Sequence, residues 1–283
     1  MPAGTVLRGL RDHHVHLGLV DRAALGSSAL SAVDDLGWTS DDALDWRRSG
    51  PGGIRVRVAG PFLTAVGGYP VGRSWAPDGS VVELASAADA VVAVQRLVAA
   101  GVDMIKVVLH TGLPLLGDHE LAAAVESAHR LGRPVVAHSE GLGQTARALA
   151  AGVDVLAHTP WTERLPDDLV TAVAERMIMI SSLAIHDGDE QAHAVAVDNL
   201  ARFARAGGRV RYGTDLGNGD RSPGPDAGEL TGLVEAGLDV RMIMDAIAVV
   251  EPEPGWTTSS PEPLPGSTAE LVDWFATVRR CPT

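Results

Sequence analysis

Short apolar runs alternate with segments of helical period along most of this chain, and that alternation leaves few folds open. The apolar runs are residues 9–17, 29–33, 54–59, 104–109, 134–138, 153–158, 177–181 and 209–213. Each has the length of a strand, and several are continuously apolar, as parallel strands buried on both faces are. Between them, residues 85–100, 118–131, 143–151, 166–176 and 190–206 carry apolar side chains at helical spacing. Glycine stops stand at Gly101, Gly132, Gly152 and Gly207-Gly208, and Pro166 opens one helix. Strand, helix, stop, strand is the pattern of βα units on a parallel sheet. Eight of them predict an α/β chain folded as a single-domain (β/α)8 TIM barrel over residues 1–250. A doubly wound open sheet would need fewer strands and a glycine-rich phosphate turn after the first, and neither fits.

Two stretches depart from the pattern. Residues 60–82 hold Gly67-Gly68, Tyr69 and Trp75 without a helical period, and are expected to form a long loop. A loop leaving a barrel strand lies over the mouth. Residues 251–283 begin with a Pro-, Ser- and Thr-rich segment. They are expected to be an irregular tail packed on the barrel, with a short helix or strand over residues 269–278.

Charge and cysteine content narrow the chemistry. The net charge of −13 argues against a nucleic-acid partner, which requires a basic face. The single cysteine, Cys281, rules out a disulfide framework and a thiolate metal site. Metal ligands must therefore come from histidine, carboxylate or a modified side chain. Residues 1–18 lack a signal-peptide pattern, and no apolar run approaches about 18 residues. A soluble, cytoplasmic protein with no membrane partner is expected.

The polar residues on the strands carry the functional signal. Asp12-His13-His14-Val15-His16 reads Asp-x-His-x-His, and on a strand Asp12, His14 and His16 share one face. Alone it is an ordinary pattern in a chain with ten histidines. Lys106, however, sits inside an apolar run, where an ammonium is costly unless paired or neutralised. His138 and His158 end the fifth and sixth runs, and Asp215 follows the eighth. The strand ends of a barrel converge on one mouth, so these six residues should reach one small volume. A strand-end histidine is often merely hydrogen-bonded, and an aspartate after Gly-Thr often caps a helix. Six such residues on five strand ends are better explained as a metal centre. Imidazole and carboxylate suit Zn, Mn, Co, Ni or Fe. A neutral Lys106 amine can take up CO2 as a carbamate, a carboxylate on a long arm able to bridge two cations. Asp215 would bind one cation and shuttle the proton of the attacking hydroxide.

Together these segments resemble the amidohydrolase superfamily, in its prolidase and imidazolonepropionase-related branch. The resemblance rests on residues 6–17, 101–107, 136–141, 151–158 and 213–215, and spans nearly the whole chain. It implies that His14 and His16 hold one divalent metal and His138 and His158 the other. Zinc is the first choice, with N6-carboxylysine at Lys106 bridging and Asp215 on the first metal. Relatives usually begin with a β-sandwich, whereas eleven residues precede Asp12 here. The flanking sandwich is thus expected to be largely missing, the tail a remnant without its partner strands, and the exposed region a possible homodimer contact.

The leading function is hydrolysis of an amide, cyclic amide or lactone in a small-molecule substrate. A decarboxylase or dehydratase on the same metals, or an inactive binding protein, are the alternatives. Strand alternation places His110 on the Lys106 face. Tyr69 could donate to an oxyanion, while Trp161 and His186 could wall the mouth, completing the expected substrate contacts.

Overall fold

The computed structural model describes residues 4–249 and 255–282. In chain order the strands are β1 (Thr5–Leu7), β2 (Leu10–Val15), β3 (Leu30–Asp35), β4 (Arg55–Val58), β5 (Phe62–Ala65), β6 (Val81–Leu84), β7 (Ile105–His110), β8 (Val135–Glu140), β9 (Val155–Leu156), β10 (Ile178–Ile180), β11 (Arg209–Arg211), β12 (Trp256–Ser260) and β13 (Arg279–Pro282). The helices are α1 (Ser40–Ser49), α2 (Ala87–Ala100), α3 (Asp118–Arg130), α4 (Gln144–Ala151), α5 (Asp167–Arg176), α6 (Glu190–Arg205), α7 (Ala227–Glu235), α8 (Val240–Ile247) and α9 (Leu271–Phe275). Each of the eight apolar runs overlaps a strand. No described helix is long and apolar enough to cross a membrane.

The strands form a mixed α/β fold around a seven-stranded parallel sheet, ordered β11-β10-β9-β8-β7-β5-β6. A second parallel sheet, β2-β3-β4, lies beside it. Backbone hydrogen bonds join the two at both sides. Asp103 N donates to Val58 O (2.9 Å) at the end of β4, and His13 N donates to Tyr212 O (2.9 Å) from β2. His16 N donates to Leu216 O (2.8 Å), and Val15 bridges Leu216 in parallel. This arrangement is compatible with a barrel-like fold.

Alternation on the strands sorts the interior. On β7, Ile105, Val107 and Leu109 are buried in the large core with Leu97 of α2 and Leu121 and Val125 of α3. Met104 instead joins Leu36, Ala59, Val136, Ala157 and Ile180 in a small separate apolar cluster. Lys106 and Val108 alternate with the core-facing residues, and so take the face opposite the helices. The helices follow their sequence signals. In α2 the Ser86 hydroxyl accepts from Asp89 N, Gly101 ends the helix at φ 109°, and Ala90, Ala93, Val94 and Leu97 form the buried stripe.

Three expectations need correction. Residues 60–82 are not an irregular loop throughout: β5 lies between β6 and β7, with Phe62 opposite Lys106. The Gly60-Pro61 break hides the fact that Phe62, Leu63, Thr64 and Ala65 are all buried. The tail is not irregular either. β12 and β13 form an antiparallel sheet with β1, Thr5 pairing with Ser260 and Thr257 with Cys281, so the tail has strand partners. Residues 250–254, where the barrel was expected to end, lie outside the described residues. Finally α1, α7 and α8 were not anticipated. In α1 only Ala43 and Trp46 are buried, too few for a visible apolar period.

Candidate metal centre

The C-terminal ends of the strands carry a cavity of about 150 Å³. Its lining includes His14, His16, Tyr69, Lys106, His138, His158, Trp161 and Asp215. Strand β2 supplies His14, and His16 follows its last residue. β7 and β8 supply Lys106 and His138, and the segments after β9 and β11 supply His158 and Asp215. The six expected ligands therefore face one volume.

Their hydrogen bonds leave the lone pairs facing inward. His14 Nδ1 lies 2.8 Å from Ala157 O, and His16 Nδ1 lies 3.1 Å from Gly37 O. A carbonyl oxygen only accepts, so in each ring Nδ1 carries the proton and Nε2 presents a lone pair. Both Nε2 atoms lie close to Asp215 Oδ1, at 3.1 and 3.2 Å. His14 Nε2 and Asp215 Oδ1 are nevertheless buried without a hydrogen bond of acceptable geometry, as is His158 Nδ1. Orphaned buried acceptors that converge are costly unless a cation serves them all. The His14, His16 and Asp215 ligand atoms lie within 4.8 Å of one another, the span a single divalent ion can bridge.

Electrostatics point the same way. Burial pushes the His14, His138 and His158 imidazoles below their usual range, and keeps them neutral, which is the ligand form. Burial alone would raise the Asp215 carboxyl. His14, His16 and His158 outweigh it and hold it well below the ordinary carboxylate range. Lys106 is the only lysine in the chain and is 1% exposed. Burial brings its ammonium down to about 7, against the opposing pull of Asp215 and Asp35. A large share of free amine is therefore present at neutral pH.

The backbone places Asp215 under constraint. It lies in the left-handed region at φ 53°, which is unfavourable for a residue with a Cβ. Asp12 helps to hold it there. Asp12 does not line the cavity, contrary to the shared face expected from alternation. Its Oδ1 accepts from His14 N (3.0 Å) and Thr214 N (3.1 Å), and its Oδ2 from the Thr214 hydroxyl. The register shift of β2 between Asp12 and Val15 breaks the simple period. Asn218 Nδ2 donates to Asp215 Oδ2 (2.9 Å), leaving Oδ1 for the histidines.

The substrate-contact candidates divide. Tyr69 and Trp161 line the cavity, with the Trp161 ring 5.5 Å from His158. Burial, with Asp215 and Glu140, raises the Tyr69 phenol to about 12, so it remains an O–H donor. His110 stands behind Tyr69, stacked at 4.6 Å, rather than in the lining. His186 is outside it too. It touches Trp161 at 5.0 Å but faces a neighbouring cavity with Asp187, Glu190, His193 and Glu235. The turn Leu183–His186 carries it away from the strand direction. Sequence reasoning missed Glu140, whose Oε2 lies 2.7 Å from His110 Nδ1 and 3.1 Å from His138 Nε2. The period of two from His138 would have found it. Phe62 and Trp75 also line the cavity, and no spacing signalled them.

No family model matches the sequence, and no curated protein does. Solved structures do match. A Xaa-Pro dipeptidase with bound methionine superposes with a TM-score of 0.75 at 20% identity, over 97% of this chain and 84% of that one. An A. niger ochratoxinase gives 0.75 at 18%, over 96% and 81%, and a molinate hydrolase 0.71 at 15%, over 97% and 81%. At these identities the chain shares the fold of these proteins. That fold agrees with the resemblance of its motifs to the amidohydrolase superfamily.

Proposed function

We propose that the chain is a metal-dependent hydrolase of the amidohydrolase superfamily, acting on an amide or related C–N bond. Its two parallel sheets, hydrogen-bonded at both sides, would form one (β/α)8 barrel. The observation that carries the reading is the convergence of His14, His16, Lys106, His138, His158 and Asp215 on one cavity, with orphaned acceptors among them. His14, His16 and Asp215 would hold one divalent cation and His138 and His158 a second, with zinc the leading ion.

The neutral Lys106 amine is suited to bridge them. Its Nζ lone pair adds to the carbon of CO2 and one N–H proton leaves to solvent, giving a carbamate. Bound cations would supply Lewis acidity, acidifying a water and polarising the scissile carbonyl. Asp215 accepts the proton released in the attack and passes it to the leaving nitrogen. The low-lying Asp215 carboxyl is in the form that this role needs. Tyr69 donates its O–H to the developing oxyanion, and Trp161 walls the cavity.

The names of the structural neighbours, a Xaa-Pro dipeptidase, a molinate hydrolase and a phenylurea hydrolase, favour C–N bonds over lactones. The test is a screen of dipeptides, amides, ureas and lactones against metal-loaded protein. Turnover of a C–N substrate that stops with a chelator and returns with metal is expected. Decarboxylation or dehydration without hydrolysis would reject it.

Tyr69 and His110 supply a finer prediction. Tyr69→Phe should raise the barrier for kcat/KM by about 1–3 kcal/mol with metal content unchanged. His110 lies behind Tyr69 outside the lining, so His110→Ala should act only through the stacked phenol and cost less. Wild-type kinetics in Tyr69→Phe would move the substrate pocket to other loops.

A further inference from the structure

We propose a second ligand site at the opposite end of the strands, binding the phosphate of an organic phosphate monoester. A cavity of about 590 Å³ opens there. It is lined by Arg11 and His13 of β2, Arg55 and Arg57 of β4, Arg176 at the end of α5, and Arg209 and Arg211 of β11. Six of the chain's 22 arginines thus share one cavity in a protein of net charge −13. This concentration runs against the overall charge, so it is not a sample of the average surface.

The two acids among the described lining residues, Asp34 and Asp154, are already committed. Asp34 pairs with Arg11, lies 2.9 Å from His13 Nδ1 and 3.8 Å from Arg57 Nε. Asp154 Oδ2 lies 2.9 Å from His129 Nε2 and accepts from Val135 N (2.7 Å). With Arg55 set aside, the other five arginines exceed these two aspartates by three charges among the described lining residues. Arg211 donates Nη1 to Asp245 O (3.0 Å), one of its five N–H donors. Burial, with Arg209 beside it, presses the Arg211 guanidinium towards its neutral form, a stress that a bound anion relieves.

Guanidinium forks from three strands match a phosphate dianion, whose oxygens accept from several directions. The floor argues for an organic ester rather than free phosphate. Leu36, Met104, Val136 and Ile180 line the same cavity and belong to the small apolar cluster. That cluster offers an apolar surface against which an organic group can pack. None of its residues lines the metal-ligand cavity, so the two sites are distinct.

Isothermal titration of metal-loaded protein with phenyl phosphate tests the proposal, inorganic phosphate and benzoate serving as the other arms. One phenyl phosphate per chain is expected, bound at least tenfold more tightly than either comparator. Arg57→Gln and Arg211→Gln should each weaken it about tenfold or more, with metal content and turnover unchanged. Arg57→Lys should recover only part, because it restores charge without the fork. Equal affinity for phenyl and inorganic phosphate would reduce the site to a phosphate-only one and overturn the ester assignment. No saturable binding, or binding indifferent to the arginine substitutions, would overturn the site itself.

Discussion

Lys106→Ala is expected to remove bound metal and hydrolysis together. The substitution deletes the only lysine of the chain, from the wall of the cavity that holds the histidines and Asp215. If the carbamate bridges two cations, its loss takes one negative ligand from each. The second ion, assigned to His138 and His158, would then lack a carboxylate from Asp215 and should leave first. Turnover should fall by on the order of 10³-fold or more, because bound cations would supply both the acidified water and the polarised carbonyl. Short carboxylates added to the variant should recover part of both metal and activity. The modification has its own signature. Protein equilibrated with ¹³C-bicarbonate should show one lysine carbamate resonance, and Lys106→Ala none. Full metal content and activity in Lys106→Ala would eliminate the bridging role.

Asp215→Asn should separate metal binding from proton transfer. The amide keeps an oxygen near His14 and His16, so much of the metal should remain. It cannot accept a proton at neutral pH, so kcat should fall on the order of 10²-fold or more. KM should change much less, because no bond to the substrate ground state is removed. Folding need not suffer, since Asn tolerates the left-handed backbone that Asp215 occupies at φ 53°. Near-normal turnover in this variant would reject Asp215 as the proton carrier.

How much of this was legible in the sequence follows from how local each signal is. The eight apolar runs marked strands because parallel strands buried on both faces need continuous apolar residues. Five helices were visible from a buried stripe, four of them with a glycine stop, as at α2 and Gly101, and the fifth from Pro166 at its start. The helix α1 buries only Ala43 and Trp46. Its signals were the Thr39 cap, Asp41 and Asp42 in the first turn and Arg47 and Arg48 in the last, which apolar period alone does not register. The tail was misread because β12, rich in Thr and Ser, is stabilised by pairing with β1 some 250 positions away in sequence. Nothing in the composition of residues 256–260 announces that partner.

The site was legible to the extent that it sits on strand ends. His138 and His158 terminate apolar runs, and Lys106 is conspicuous inside one. Loop residues were harder, since a turn sets their direction. Tyr69 reached the cavity while His186, carried by the turn after β10, faces another. Glu140 was overlooked although it follows His138 by one strand period. Asp12 was assigned a direction that the β2 register shift does not allow.

The metal content of the purified, loaded protein tests the central claim most directly. After loading with zinc in bicarbonate buffer and removal of free ions, the account predicts two equivalents per chain. One equivalent or none would contradict a binuclear centre built on His14, His16, Lys106, His138, His158 and Asp215.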